Sequence, residues 1–383
     1  MDILFLAHRA PFPPDRGDRI RSYNILKHLS GRARVHLVAF VDDDAAVTDE
    51  DRALLGECVV IPRTKSQVRA AAEALATGRP VSLTAFADRR VTAAVNAIVQ
   101  RHPIDAVYAF SGQMAQYLPA DVPLTIMDFV DLDSAKFDAY ADDAIGPMRW
   151  MMKREARLLG AFERSVARRV TAPLFVSAAE AALLPGSRAL ENGIDTVRYD
   201  PQRSTPVHSA HPLIVFTGQM DYRPNVDAVT WFARSVLPLI PRAHFAIVGR
   251  APTAGVRALA GQDVTVTGEV ADVRGWLAAA DVVVAPLQLA RGVQNKVLEA
   301  MAMARPVVAS GPAAEGIDHA GTIRIAGDAR DYANAITALL NDPAGAAALG
   351  HAAREQVIRR YGWTARLTPL DDLLGLHAER QVV

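Results

Sequence analysis

The chain has 383 residues, half of them hydrophobic, with 42 Lys+Arg set against 42 Asp+Glu. That length suits two domains rather than one core, the hydrophobic share excludes a disordered chain, and the balanced charge excludes a general nucleic-acid binder. Cys58 is the only cysteine, so an intramolecular disulfide and a cysteine-based metal cluster are both excluded.

The start, MDILFLAHRAPFPP, has no basic n-region and too short an apolar run for a signal peptide. No stretch approaches ~18 uninterrupted apolar residues, so no spanning helix is expected and the protein is expected in the cytoplasm. Short apolar runs then recur between helix-like segments. In the first half they are Ile3–Ala7, Val35–Val41, Cys58–Ile61, Ala106–Ala109, Leu124–Met127 and Leu174–Val176. After the first run comes a proline-fixed loop in which Gly17 allows a turn or a close approach to a ligand. Arg19 and Arg21 sit in the first turns of the helix that follows, where a helix start favours negative charge; a bound anion would offset the mismatch. Asp128, Asp131 and Asp133 follow the fifth run, at the strand end where α/β sheets bind ligands. Asp131 or Asp133 would equally serve as a helix N-cap, and clustered aspartates also raise the question of a metal.

Pro147–Val170 reads as one amphipathic helix. Met148, Met151, Met152, Leu158, Leu159, Phe162, Val166 and Val170 fall on one side, and Arg149, Lys153, Arg157, Arg164 and Arg168 on the other. The plain reading is an outer helix with a solvated basic face. The sharper one is a patch, residues 148–170, for peripheral contact with an anionic membrane.

The polar, proline-containing stretch Tyr199–Pro212 reads as a linker. A second series follows: Leu213–Phe216, Phe245–Val248, Val264–Thr267, Val282–Ala285, Pro306–Ala309 and Ile323–Ile325. Two strand–helix series predict two doubly wound α/β domains with parallel sheets. Neither carries G-x-G-x-x-G after its first strand, which weakens a dinucleotide-dehydrogenase reading. Gly218 follows the first strand of the second series and allows backbone close to a ligand.

The most telling stretch is RGVQNKVLEAMAMARPVVAS, from Arg291 to Ser310. It reads as loop, helix and buried strand. Gly292, Val293 and Gln294 can present free N–H groups, Lys296 stands in the first turn, and Glu299 lies three residues on, on the same face. Glycine, helix start and lysine make a phosphate site. A carboxylate one turn later can accept hydrogen bonds from vicinal hydroxyls such as those of a ribose. Phosphate plus ribose means a nucleotide.

K-x-x-E-A-M-A-x-x-x-P-V-V resembles the donor motif of retaining GT-B glycosyltransferases of family 4 (group 1). The spellings RGVQNKVLEAMA and D-F-V-D-x-D-S resemble the branch that accompanies exosortase (PEP-CTERM) and exopolysaccharide clusters. The resemblance implies two Rossmann-like domains facing across a cleft: 1–200 on the acceptor side, a linker at 201–212, a nucleotide-sugar domain at 213–352, and a helix at 353–383 crossing back to the first domain. It implies Lys296 and Arg223 as the cations of the departing diphosphate. Gly17, Gly218, Arg250 and Val270 join Gly292, Val293, Gln294 and Glu299 as donor-binding residues. Asp128 stands near the place of the family's catalytic-side histidine, with Asp131 and Asp133 on the acceptor side. In the family's E-x7-E pattern Arg291 replaces the first glutamate, which puts the sugar's identity in doubt.

The expected protein is a retaining, metal-independent glycosyltransferase that needs no cofactor. It takes a nucleotide-diphosphate sugar, UDP or GDP undecided, and a glycan or lipid-linked acceptor in bacterial exopolysaccharide or surface-glycan assembly. Peripheral attachment at the inner membrane face is a further expectation. The rivals are a nucleotide-sugar 2-epimerase of GT-B fold and a nucleotide-sugar-binding pseudoenzyme, the latter favoured by the replaced His and Glu.

Overall fold

The computed structural model describes residues 1–41, 47–290 and 292–376. The chain divides into two compact units: Met1–Asn192 with the described residues from Arg366 onward, and Gly193–Ala365.

The first unit holds a seven-stranded parallel sheet. Its strands are β1 Asp2–Ala7, β2 Arg34–Val41, β3 Cys58–Pro62, β4 Ile104–Phe110, β5 Leu124–Val130, β6 Ala172–Phe175 and β7 Arg188–Ala189. They lie in the order β3-β2-β1-β4-β5-β6-β7. Near-continuous apolar runs such as Ile3-Leu4-Phe5-Leu6-Ala7, all at zero exposure, are what a sheet covered on both faces requires. Phe5 pairs in register with Leu37 on one side and Tyr108 on the other, and its ring stacks on Tyr108 at 5.2 Å. The strand order reverses between β1 and β4, the position where such sheets open a crevice at their carboxyl ends.

The second unit repeats the plan with six strands. They are β8 Leu213–Thr217, β9 His244–Val248, β10 Val264–Gly268, β11 Val282–Ala285, β12 Val307–Ala309 and β13 Arg324–Ile325, in the order β10-β9-β8-β11-β12-β13. Its switch point lies between β8 and β11. The short two-residue β7 was not anticipated, because Arg188–Ala189 is exposed and carries no apolar run.

The chain passes between the units twice, at Asn192–Gly193 and again at Ala365–Arg366. In the second unit the two passages are bound together: Ile194 N–H donates to Tyr361 O at 2.7 Å. A Cβ on Gly193 would lie 2.6 Å from Trp363 Cα, so only glycine fits there. In the first unit Arg366 pairs with Glu191 at 2.8 Å. The helix Trp363–Leu374 begins in the second unit and continues in the first, where Asp371 pairs with His28 at 2.9 Å and Arg32 at 3.1 Å. Residues 201–212, expected as a free linker, belong to the second unit; Val207 N–H, for one, donates to Gly275 O at 3.1 Å.

The long helix runs Gly146–Arg169, but its buried face differs from the expected one. Met148 is exposed, and the buried stripe is Glu155, Leu159, Glu163 and Val166. Two glutamates replace the expected methionines because each caps a neighbouring helix. Glu155 accepts from Val81 N–H at 2.8 Å, Ser82 N–H at 2.8 Å and Ser82 Oγ–H at 2.6 Å, at the start of the helix Val81–Ala85. Glu163 accepts from Ser134 N–H at 3.2 Å, in the first turn of the helix Asp133–Asp143. Orphan N–H groups at a helix start favour a carboxylate, and periodicity along one helix does not reveal a neighbour's need for an acceptor.

Glu155→Ala removes every one of these acceptors from the Val81–Ser82 turn. It is expected to cost about 1–3 kcal/mol, the penalty for leaving buried donors unsatisfied. Urea denaturation measures it, and a midpoint equal to wild type would show that water replaces the carboxylate at no cost.

Candidate functional site

The carboxyl ends of β8, β9 and β10 meet around a cavity of about 440 Å³ in the second unit. Gly218 N–H donates to Val248 O at 3.0 Å, and Gly249 N–H to Gly268 O at 3.2 Å. These strand ends are closer than any side chain allows. A Cβ on Gly249, whose φ is 150°, would lie 1.7 Å from Gly218 O. A Cβ on Gly218 would lie 2.8 Å from Asn225 Nδ2 and 3.3 Å from Lys296 Nζ. Gly218 thus makes room for Asn225 and Lys296.

Lys296 is the second residue of the helix Asn295–Ala302. Its ammonium lies 2.5 Å from Asn225 Oδ1 and 4.4 Å from the centre of the Phe216 ring. Among the described residues no carboxylate approaches it within the 4.0 Å of an ion pair. Burial lowers its pKa to about 8, against the opposing field of Glu299. Asn225 lies inside the helix Arg223–Trp231, nearly fully buried, with its Nδ2 donating to Gln219 O at 2.9 Å and its Oδ1 aimed at the lysine. An amide and a ring hold the cation in place without neutralising it.

Glu299, one turn on, lines the same cavity and faces the hydroxyl of Tyr199. Burial raises its pKa; Tyr199 and Lys296 pull the other way. Arg250 and Val270 also line the cavity, with Arg250 Nη2 donating to Gln219 Oε1 at 2.7 Å. Tyr199 and Gln219 were missed by the sequence reading. Tyr199 sits in a polar, proline-rich stretch that looks like linker, and only the packing of that stretch on the second unit brings it to Glu299.

Other expected donor residues are not brought to this cavity. Arg223 opens its helix with a side chain 92% exposed, 3.6 Å from Asp227. Gly292 and Val293 are exposed; Gly292 has a φ of 66°, and its carbonyl accepts from Gln294 Nε2 at 3.2 Å. Gln294 precedes the helix Asn295–Ala302 without a side-chain cap, and its carbonyl accepts from Val297 N–H at 3.0 Å. Arg291 lies outside the described residues.

In the first unit the structure corrects the placement of Asp128. Its carboxylate has no exposure. Oδ2 accepts from Arg21 Nε at 3.0 Å and from Tyr108 Oη at 2.8 Å, with Arg21 Nη2 at 2.9 Å; Oδ1 accepts from Val130 N–H at 3.0 Å. A carboxylate so enclosed is a structural anchor and does not reach an acceptor. Arg21 goes on to donate to Asn192 Oδ1 at 2.8 Å. The cations at the start of the helix Gly17–Ser30 therefore need no bound anion to explain them. Arg21 is held by Asp128, Arg19 lies 3.2 Å from Asp15, and Arg9 pairs with Asp18, a carboxyl kept well below its usual range by His8 and Arg9. Gly17 itself is exposed, with open space where a Cβ would stand.

Asp131 pairs with Lys136 at 2.6 Å. Asp133 opens the helix Asp133–Asp143, accepts from Gln113 Nε2 at 3.2 Å, and is raised in pKa by burial. Among the described residues the group with metal-ligand geometry is Asp2, His36 and His102, away from this acidic run.

Residues 211–342 match the family described as Glycosyl transferases group 1. Solved structures resemble the chain over almost its whole length. HepE of Anabaena in complex with UDP is 16% identical, with 98% of this chain and 100% of that chain covered and a TM-score of 0.60. A glycosyltransferase from Rickettsia africae ESF-5 is 14% identical, with 98% of each chain covered and a TM-score of 0.60. WaaG, a glycosyltransferase involved in lipopolysaccharide biosynthesis, is 17% identical, with 97% and 100% covered and a TM-score of 0.57. No curated protein sequence matches the chain. The fold is GT-B.

Gly249→Ala is expected to destabilise the second unit by about 1–3 kcal/mol or more, the cost of forcing atoms into a packed site. Gly261→Ala, where nothing lies within 4 Å of the new Cβ, is the matched control. Equal melting temperatures for the two variants would mean that the β8 and β9 ends are not held together.

Proposed function

We infer that this chain, a glycosyltransferase by its group 1 domain and its GT-B fold, transfers a sugar from a nucleoside-diphosphate donor to a glycan or lipid-linked acceptor. The observation that carries the reading is the Lys296 ammonium: half-buried, oriented by Asn225, and, among the described residues, without a carboxylate partner in a cavity that also presents Glu299 and Arg250. Such a cation is ready for an anion that arrives and leaves. HepE binds UDP, and a UDP-sugar is the first donor class to test.

The mechanism proposed is retaining and free of bound metal. The bond from the anomeric carbon to the diphosphate breaks, and its electron pair stays on the diphosphate, where Lys296 stabilises the growing charge. The acceptor oxygen bonds to the same carbon from the same face, and its proton passes to a donor phosphate oxygen. No carboxylate base is needed in this scheme, which agrees with the burial of Asp128. Glu299 accepts hydrogen bonds from the ribose. The family-4 resemblance of the Lys296–Glu299 segment supports retention, and the RGVQNKVLEAMA spelling supports the exosortase-associated, exopolysaccharide setting.

Turnover is tested on UDP-sugars with and without EDTA. Lys296→Ala should lower kcat by roughly 10²–10³-fold, EDTA should leave the rate unchanged, and NMR of the product's anomeric proton should report retention. Wild-type kinetics in the variant would remove Lys296 from the site, loss of activity on chelation would refute the metal-free scheme, and an inverted anomer would refute retention. UDP affinity carries a further signature. A bound diphosphate favours the charged ammonium, so affinity is full below about pH 8 and falls as pH climbs through that value. Calorimetry across pH 7–10 measures it, as approximate bounds set by the shifted and ordinary lysine values; a flat profile would contradict a diphosphate on Lys296.

Peripheral membrane contact remains part of the proposal, on different residues from those first expected. No helix among the described residues is long and apolar enough to cross a membrane. Lys153, one of the basic residues invoked, is paired with Asp138 at 2.9 Å and Asp142 at 3.2 Å. What supports the reading is the set of exposed apolar side chains around the start of the helix Gly146–Arg169: Ile145 at 86%, Met148 at 56% and Trp150 at 59%. Replacing Ile145 and Trp150 by Ser should abolish co-sedimentation with anionic vesicles and leave turnover on a soluble acceptor unchanged. Wild-type protein that stays in the supernatant at low salt would end the idea.

A further inference from the structure

A second cavity, of about 760 Å³, lies wholly in the first unit. It falls within the roughly 300–1,000 Å³ range of ligand sites. It sits at the carboxyl ends of β3 and β4: Thr64 and Lys65 follow Pro62, the last residue of β3, and Gln116 and Tyr117 belong to the turn Gly112–Tyr117 after β4. This is the edge at which open α/β sheets bind ligands. Tyr117 forms a buried floor, its hydroxyl donating to Phe86 O and accepting from Asp88 N–H at 2.7 Å.

The charge of the lining is one-sided. Lys65, Arg69, Arg79, Arg89 and Arg90 face two carboxylates, Glu73 and Asp88. Both carboxylates are already engaged. Glu73 holds Lys65 at 2.9 Å, and Asp88 holds Arg90 at 2.7 Å. Arg79 donates to a neutral amide, Gln116 Oε1, at 3.0 Å. Among the described residues no carboxylate lies within ion-pair distance of Arg69, Arg79 or Arg89. Three guanidinium forks around one concave surface match the planar, two-oxygen geometry of carboxylates and phosphates. In a chain with equal numbers of acidic and basic residues this concentration is local.

We propose that this cavity is the acceptor site and that it takes an acceptor carrying several oxyanions, which Arg69, Arg79 and Arg89 bind. The assignment rests on the glycosyltransferase reading above and adds the acceptor's chemical class to it. The oxyanions can come from carboxylates of an acidic sugar chain or from a diphosphate head group.

The test first titrates UDP into the full-length protein by calorimetry, then titrates an oligogalacturonate, inorganic pyrophosphate and neutral maltotetraose into the UDP-saturated samples, so that the cavity of Lys296 is already occupied. Wild type and the triple variant Arg69→Gln/Arg79→Gln/Arg89→Gln are compared; all three side chains are exposed, and an unchanged thermal unfolding curve reports that the variant's first unit is folded. One of the two anions should bind wild type and maltotetraose should not. Affinity should drop about tenfold or more in the variant, and should weaken with added salt as screening shortens the reach of the guanidinium field. Binding of oligogalacturonate alone assigns the carboxylate source, and of pyrophosphate alone the diphosphate source. Wild type that binds UDP but neither anion, or a variant that binds them as well as wild type does, overturns the proposal and leaves the donor reading standing. Wild type that binds an anion but no UDP overturns the donor reading and the acceptor role together.

Discussion

A half-buried ammonium that meets no carboxylate among the described residues is the constraint on which the second unit depends. Taking a charge out of water is costly unless something pairs with it. The unit keeps Lys296 with an amide and an aromatic face, at 2.5 Å and 4.4 Å, and its pKa falls to about 8 as a result. Gly218 exists where it does because any side chain would occupy the space of Asn225 and Lys296, and Gly249 because the Gly218 carbonyl is already there. The strand ends, the helix Arg223–Trp231 and the helix Asn295–Ala302 thus meet around one cation, held by an amide and a ring.

The first unit handles its buried charge in the opposite way. Arg21 and Asp128 are both fully buried, but they pair with each other, and Tyr108, Val130 and Asn192 add hydrogen bonds to the pair. A network of this kind fixes a helix, two strands and the residue at which the chain leaves the unit. Breaking one partner of such a pair strands the other charge. Geometry therefore gives Asp128 an architectural partner in Arg21, whereas Lys296 keeps only an amide and a ring beside it.

Much of the fold was legible because its signals are local. Each apolar run in both series became a strand, and the run from Arg291 to Ser310 became loop, helix and strand as its spacing implied, apart from Arg291 itself, which is not described. The errors fall where a residue's duty belongs to a partner distant in sequence. Glu155 and Glu163 occupy the buried stripe of their helix because the starts of two other helices need acceptors. Tyr199 looked like linker because its use depends on Glu299, a hundred residues later.

Sequence by itself determined two parallel α/β series, the Lys296–Glu299 pair on one helical face, and glycine at the end of β8. These follow from periodicity, turn chemistry and residue type over a few neighbouring positions. Only tertiary structure decided which charges are spent and which are free. Asp128 is consumed by Arg21 from 107 positions away, Glu73 and Asp88 are consumed by lysine and arginine partners, and Lys296 meets Asn225 across 71 positions with no carboxylate among the described residues in ion-pair reach. Whether a charged side chain can act on a ligand depends on what already neutralises it. That is set by which strands and loops are brought side by side, and a linear pattern does not contain it.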